Sequence, residues 1–95
     1  MLVAIDIGNS NISIFIFQDA TLIHSWRLTT DLLKETDEYT ALFQQIIGDK
    51  IHLPKEPLTS SNKNSNIAMC SVVPPLTNII SQAIFNLFNV HPLPM

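Results

Sequence analysis

Close to the start of the chain, the stretch DIGNSN sets an acid, a glycine and three small polar residues side by side: Asp6, Gly8, Asn9, Ser10 and Asn11. Glycine opens backbone conformations closed to other residues and projects nothing that would block a ligand. Successive backbone N–H groups in such a turn can converge on an anion, and the Asn and Ser side chains add further donors. A carboxylate repels phosphate directly, so the chemistry open to Asp6 is to hold a hydrated Mg²⁺ that phosphate oxygens also bind. The set predicts a nucleotide-phosphate site. It equally describes a plain polar turn, with Gly and Asn chosen for their backbone geometry, and composition alone does not separate the two. No GK[ST] follows and no helix follows, which excludes a Walker A loop and a dinucleotide fingerprint.

The turn needs strands on both sides. Leu2 to Asp6 reads as a buried strand and Ile12 to Phe17 as a second, with Ile12, Ile14 and Ile16 on one face and Ser13, Phe15 and Phe17 on the other. Gln18-Asp19-Ala20 is a short turn. Thr21 to Leu28 reads as a third strand, with Leu22, His24, Trp26 and Leu28 alternating against Ile23, Ser25 and Arg27. Short connections make these three an antiparallel meander. A helix follows, with Thr36 as its expected N-cap, Asp37 and Glu38 in the first turn, and Tyr39, Leu42, Phe43, Ile46 and Ile47 along one face up to Gly48. Residues 49–65 read as a flexible loop from their Pro, Ser, Asn and Lys content. Asn66 to Val73 is a fourth strand. Pro74 and Pro75 stop it, and Pro75 suits the first turn of a second helix striped by Leu76, Ile79, Ile80, Ala83, Ile84, Leu87 and Phe88. Val90 to Met95 begins a fifth strand. The order βββαβαβ predicts an α/β fold, a mixed sheet with helices covering it.

The bulk composition excludes some partners. The chain has 95 residues, 46% hydrophobic and 14% charged, with a formal charge of −3. That is one small domain or part of a larger one. Lys34, Lys50, Lys55 and Lys63 are scattered, so no basic patch marks a nucleic-acid partner. The apolar runs are too short to span a bilayer. Cys70, the only cysteine, reads as a buried structural thiol of a reducing compartment, and the start lacks a signal-peptide pattern, so a soluble cytoplasmic protein is expected. His24, His52 and His91 have no metal-ligand spacing. Trp26 reads as packing, and Arg27 as facing solvent or a neighbouring chain.

Four stretches carry a family likeness: AIDIGNSNI, HSWRLTT, TDEY and CSVVPPLT. The first is similar to the first phosphate motif of the actin-like ATPase superfamily, whose domains are ribonuclease-H-like. All four together, in order and across nearly the whole chain, resemble type III pantothenate kinase. The resemblance implies phosphorylation of pantothenate by ATP to 4′-phosphopantothenate, the first step towards coenzyme A. It implies Mg²⁺ or a similar divalent ion, a monovalent cation (K⁺ or NH₄⁺), and a homodimer. It carries the ATP-phosphate role onto Asp6, Ile7, Gly8, Asn9, Ser10, Asn11, Ile12 and Ser13, with Asp6 holding the metal through water. Some relatives have Lys at the position of Ser13, and Ser10 stands where Thr is common.

The family pattern is longer than this chain. Its catalytic aspartate lies in a Gly-x-Asp-Arg stretch, and no Gly occurs after Gly48 and no Asp after Asp49. Residues 1–95 are therefore expected to be an incomplete N-terminal domain, cut in or after the fifth strand, without the C-terminal kinase domain and inactive alone. Two other readings stay open: a non-catalytic dimerisation or regulatory module derived from a kinase half, and a sugar-kinase-like fragment with another substrate. Because the Ile79/Ile80/Ile84/Phe88 stripe and the two-faced ISIFIF strand need cover, the isolated chain is expected to associate.

Overall fold

A computed structural model describes residues 1–50 and 66–94. The predicted loop at 49–65 lies, apart from Asp49 and Lys50, outside the described residues. Strands β1 (Leu2–Ile7), β2 (Asn11–Gln18) and β3 (Thr21–Thr29) are followed by helix α1 (Thr36–Ile47), strand β4 (Ile67–Ser71), helix α2 (Pro74–Phe88) and a short β5 (Leu93–Pro94). The order is the one the sequence predicts. The sheet runs β3-β2-β1-β4-β5. The meander pairs antiparallel, while β4 pairs parallel with β1 and β5 parallel with β4.

One face of the sheet makes the core. Val3, Ile5 and Ile7 on β1, Ile12, Ile14 and Ile16 on β2, and Ile67 and Met69 on β4 pack against Tyr39, Phe43 and Ile47 of α1 and Leu76, Ile80, Ala83 and Ile84 of α2. Both helices lie on this face. The α2 stripe expected to need outside cover has it already: Ile80 and Ile84 are fully buried, and Ile79 and Phe88 pack against the core. The opposite face carries Ala4, Phe15, Phe17 and Ala68, all half-buried, and the exposed Leu2.

Several local expectations change. The expected alternation on β3 breaks at a register shift beside Ile16 and Phe17, where Ile16 opposes His24 but Phe17 opposes Leu22. Ile23 is the extra residue of this bulge, so Leu22 leaves the face of His24, Trp26 and Leu28. The N-cap of α1 is Glu35, not Thr36. The Glu38 carboxylate accepts the Glu35 N–H at 2.9 Å, which satisfies that donor one residue earlier than expected. Tyr39 is fully buried, and its hydroxyl donates to the Asp31 carbonyl at 2.8 Å and accepts the Asp31 N–H at 3.1 Å. The TDEY stretch thus bolts the first turn of α1 to the segment leaving β3. Pro74 and Pro75 both sit in the first turn of α2. Cys70 is half-buried on the face away from the helices rather than in the core.

Candidate phosphate-binding turn

Strand β1 runs through Asp6 to Ile7, and β2 returns from Asn11, with Ile7 opposite Ile12. The Gly8 N–H donates to the Asn11 carbonyl at 2.9 Å, closing a hairpin around Asn9 and Ser10. No residue of this turn has a positive φ; among the described residues the non-glycine residues that do are Asp19, Ala20 and Asn89, and neither glycine does. Gly8 therefore does not use the left-handed freedom expected of it. Its constraint is contact, because a Cβ there would lie 3.2 Å from the Asn11 carbonyl oxygen.

A residue that sequence reasoning did not single out holds the turn from behind. The Thr30 hydroxyl donates to the Gly8 carbonyl at 2.7 Å, and the Thr30 N–H donates to the Ser10 carbonyl at 3.0 Å. Two turn carbonyls are thus occupied by one residue just beyond β3. The signal was present in the second threonine of HSWRLTT, but no spacing rule links it to Gly8. The Val72 N–H donates to the Ile7 carbonyl at 3.0 Å, so the end of β4 braces the other flank. Among the described residues, the Asn9 and Ser10 N–H groups and the Asn9, Ser10 and Asn11 side chains have no protein hydrogen-bond partner, and all three residues are exposed. The turn is held by its Gly8 N–H and by the Gly8 and Ser10 carbonyls, and leaves the Asn9 and Ser10 N–H groups unengaged by any described residue.

Asp6 is exposed on the sheet face away from the helices. It stands opposite Ser13 on β2 and Cys70 on β4, and Ser13 stands opposite Arg27 on β3. Opposed residues share a face, so Cys70, Asp6, Ser13 and Arg27 form one row across four strands. Of the expected site residues, Asp6, Gly8, Asn9, Ser10, Asn11 and Ser13 gather at this end of the sheet. Ile7 and Ile12 are fully buried in the core, so their side chains shape the turn's base and only their backbone is available to a ligand.

The other acids lie elsewhere or are engaged. Asp19 sits in the turn at the far end of β2. Asp31 pairs with Lys34 at 3.6 Å and accepts the Leu33 N–H at 2.9 Å. Among the described residues no three His, Cys, Asp or Glu side chains cluster to hold a metal. A lone carboxylate fits Mg²⁺ only in the mode where the ion keeps its waters and draws its other ligands from phosphates. The N-terminus of α2 lies at the same end of the sheet, but Pro74 and Pro75 remove two of its N–H donors. Of the histidines, His24 stacks on Trp26 at 5.4 Å and His91 on Phe85 at 4.4 Å, and His52 lies outside the described residues. No helix among the described residues is long and apolar enough to cross a membrane.

The family model for type III pantothenate kinase matches residues 2–95. Curated relatives of that name include one from Citrifermentans bemidjiense, 36% identical over 92 residues that make up 97% of this chain. Others come from Halalkalibacterium halodurans, 34% identical over 98% of the chain, and an Exiguobacterium species, 33% identical over 98%. In each case the match spans 34% of the relative, so the chain spans about a third of the length of the relatives it matches. With a match over nearly its whole length and a five-stranded mixed sheet compatible with part of an actin-like ATPase fold, the chain belongs to the type III pantothenate kinase family.

Proposed function

We propose that this chain is the ATP-phosphate-binding part of a type III pantothenate kinase, which transfers the γ-phosphoryl group of ATP to the hydroxyl of pantothenate. The observation that carries this reading is the backbone of the Gly8–Asn11 turn. Gly and Asn are usual where φ is positive, and here no turn residue needs it. Close approach to the Asn11 carbonyl accounts for Gly8, but left-handed backbone does not account for Asn9, Ser10 and Asn11. Exposed donors without a described protein partner, beside a single carboxylate, do account for these residues, as a site for phosphate and a hydrated cation.

In this reading the Asn9 and Ser10 N–H groups and the Asn9, Ser10, Asn11 and Ser13 side chains donate to phosphate oxygens. Asp6 holds Mg²⁺ through water, and the ion supplies neutralising charge to the terminal phosphates. Thr30 and Val72 keep the turn rigid, so that the donors need no rearrangement when phosphate arrives. The reaction forms a bond from the pantothenate oxygen to γ-phosphorus and breaks the bond to the bridging oxygen, which leaves with ADP. The hydroxyl proton needs a carboxylate acceptor, and Asp6 is committed to the metal. We assign that base, the adenosine contacts and the monovalent-cation site to the two thirds of the family's length that this chain does not span. The homodimer and the cytoplasmic location belong to the same reading.

A second reading, a non-catalytic dimerisation or regulatory module, draws on the half-buried Phe15 and Phe17 on the uncovered sheet face. A coupled ADP-release assay with pantothenate, ATP and Mg²⁺ separates the two. It is run on the purified chain and again after adding the remaining two thirds of a relative, expressed separately. Turnover only on mixing is expected. Turnover by the chain alone refutes the assignment of the base to the remainder, and none in either case favours the module.

A further inference from the structure

Resting on the phosphate-site reading, we propose that Arg27 is a further ligand-binding residue, whose guanidinium grips the polyphosphate chain from the β3 side of the turn. Register places it there. Arg27 opposes Ser13, and Ser13 opposes Asp6. With strands about 4.8 Å apart, the Arg27 and Asp6 backbones are roughly 10 Å from each other across the sheet. The residue between them is short, so a long side chain on β3 can lie over β2 without a steric barrier.

Arg27 is exposed and, among the described residues, makes no ion pair or hydrogen bond. Of the two described lysines, Lys34 is paired with Asp31, and Lys50 follows α1 on the helical side of the fold. Around Arg27 the same face offers Ser25 on its own strand and Phe15 and Ala4 in the next row. The only acid on the row is Asp6. A site that places a carboxylate beside a polyphosphate, in a chain of net charge −3, gains from a cation on the other side of the phosphates. The planar fork of arginine matches two phosphate oxygens at once, which an ammonium cannot do.

The test is a ¹⁵N NMR titration of the 95-residue chain with magnesium tripolyphosphate, following the Gly8–Asn11 amides and the Arg27 side-chain Nε–H. Both sets are expected to shift together with one Kd. Arg27→Gln is expected to weaken that Kd about tenfold, the worth of one charged hydrogen bond, and to flatten its salt dependence. Arg27→Lys is expected to recover part of the affinity, and an otherwise unchanged amide spectrum shows that each variant folds. If the turn amides still shift with unchanged Kd in Arg27→Gln, the role of Arg27 is overturned while the phosphate turn stands. If the Arg27 signal moves without the turn, the shared site is overturned. If nothing at the turn moves in the wild-type chain, both readings fall.

Discussion

Strand β2 begins and ends in a short turn, and the two turns use their residues in opposite ways. At one end, Gly8, Asn9 and Asn11 come from the residues most tolerant of left-handed backbone, yet neither they nor Ser10 has a positive φ. At the other end Asp19 and Ala20 take φ of 51° and 68°. That is the primed geometry whose twist suits a hairpin, built with an alanine that resists it. A non-glycine residue there carries about 1–2 kcal/mol of strain. The Asp19–Ala20 turn sets an unsuited alanine at a left-handed position, and the turn richer in Gly and Asn has no left-handed position to fill. On the proposed reading, the contrast separates a turn that serves backbone shape from one that serves the groups it displays.

The largest expected effect lies at the display turn. In the enzyme reconstituted with a relative's remaining two thirds, Asp6→Asn should lower kcat on the order of 10²-fold, because the charge that positions the metal is gone. Its melting temperature should stay within about 2 °C of the parent, since an exposed carboxylate with no ion pair among the described residues contributes little to stability. An unchanged kcat would show that Asp6 has been misassigned. Next is Thr30→Val, which leaves the half-buried Gly8 carbonyl without its hydroxyl donor. A loss of about 1–2 kcal/mol is expected in urea unfolding, with weaker tripolyphosphate binding as the turn loosens. Full stability together with full binding would remove Thr30 from the site.

Smaller effects sharpen the comparison from the other end. Ala20→Gly should stabilise the chain by about 0.5–1 kcal/mol, since relief of strain exceeds the added chain entropy. A thermal melt would register this as a rise of a few degrees in a domain of this size. Asn9→Ala should change stability by less than about 0.5 kcal/mol, because no geometry at that position asks for Asn. A loss well above 1 kcal/mol would restore turn geometry as the explanation of DIGNSN.

Much of the fold was legible because its periodicities are strong. The ISIFIF alternation and the two helical stripes fixed the order βββαβαβ, and each apolar stripe turned out to face the core. What was not legible depends on long-range partners. The bulge at Ile23 moves Leu22 to the other face, and only the pairing with β2 reveals it. The cap of α1 fell to Glu35 because Glu38 reaches back to it, a preference weaker than the one that singles out Thr36. The place of the Gly8–Asn11 turn was readable from its small polar residues between two apolar strands, and its role towards phosphate stands as a proposal. Thr30 was not readable, since its contact spans 22 positions, and neither was the row linking Asp6, Ser13 and Arg27, which exists only once three strands are in register.

The central place of β1 also bears on how the chain folds. Val3 opposes Ile16, 13 positions on, and Ile67, 64 positions on. Closing the longer span costs about 1.4 kcal/mol more in chain entropy, from the logarithmic dependence on loop length. Hairpins zip within microseconds, so the β1–β2–β3 meander is set to form early, with β4 docking onto a strand already in place. The Gly8–Asn11 turn then takes shape in the first structured part of the chain, and the bonds from Thr30 arrive with β3. On this entropy argument the bond from Val72 to Ile7 is expected last, with the turn gaining its final rigidity when the parallel half of the sheet closes.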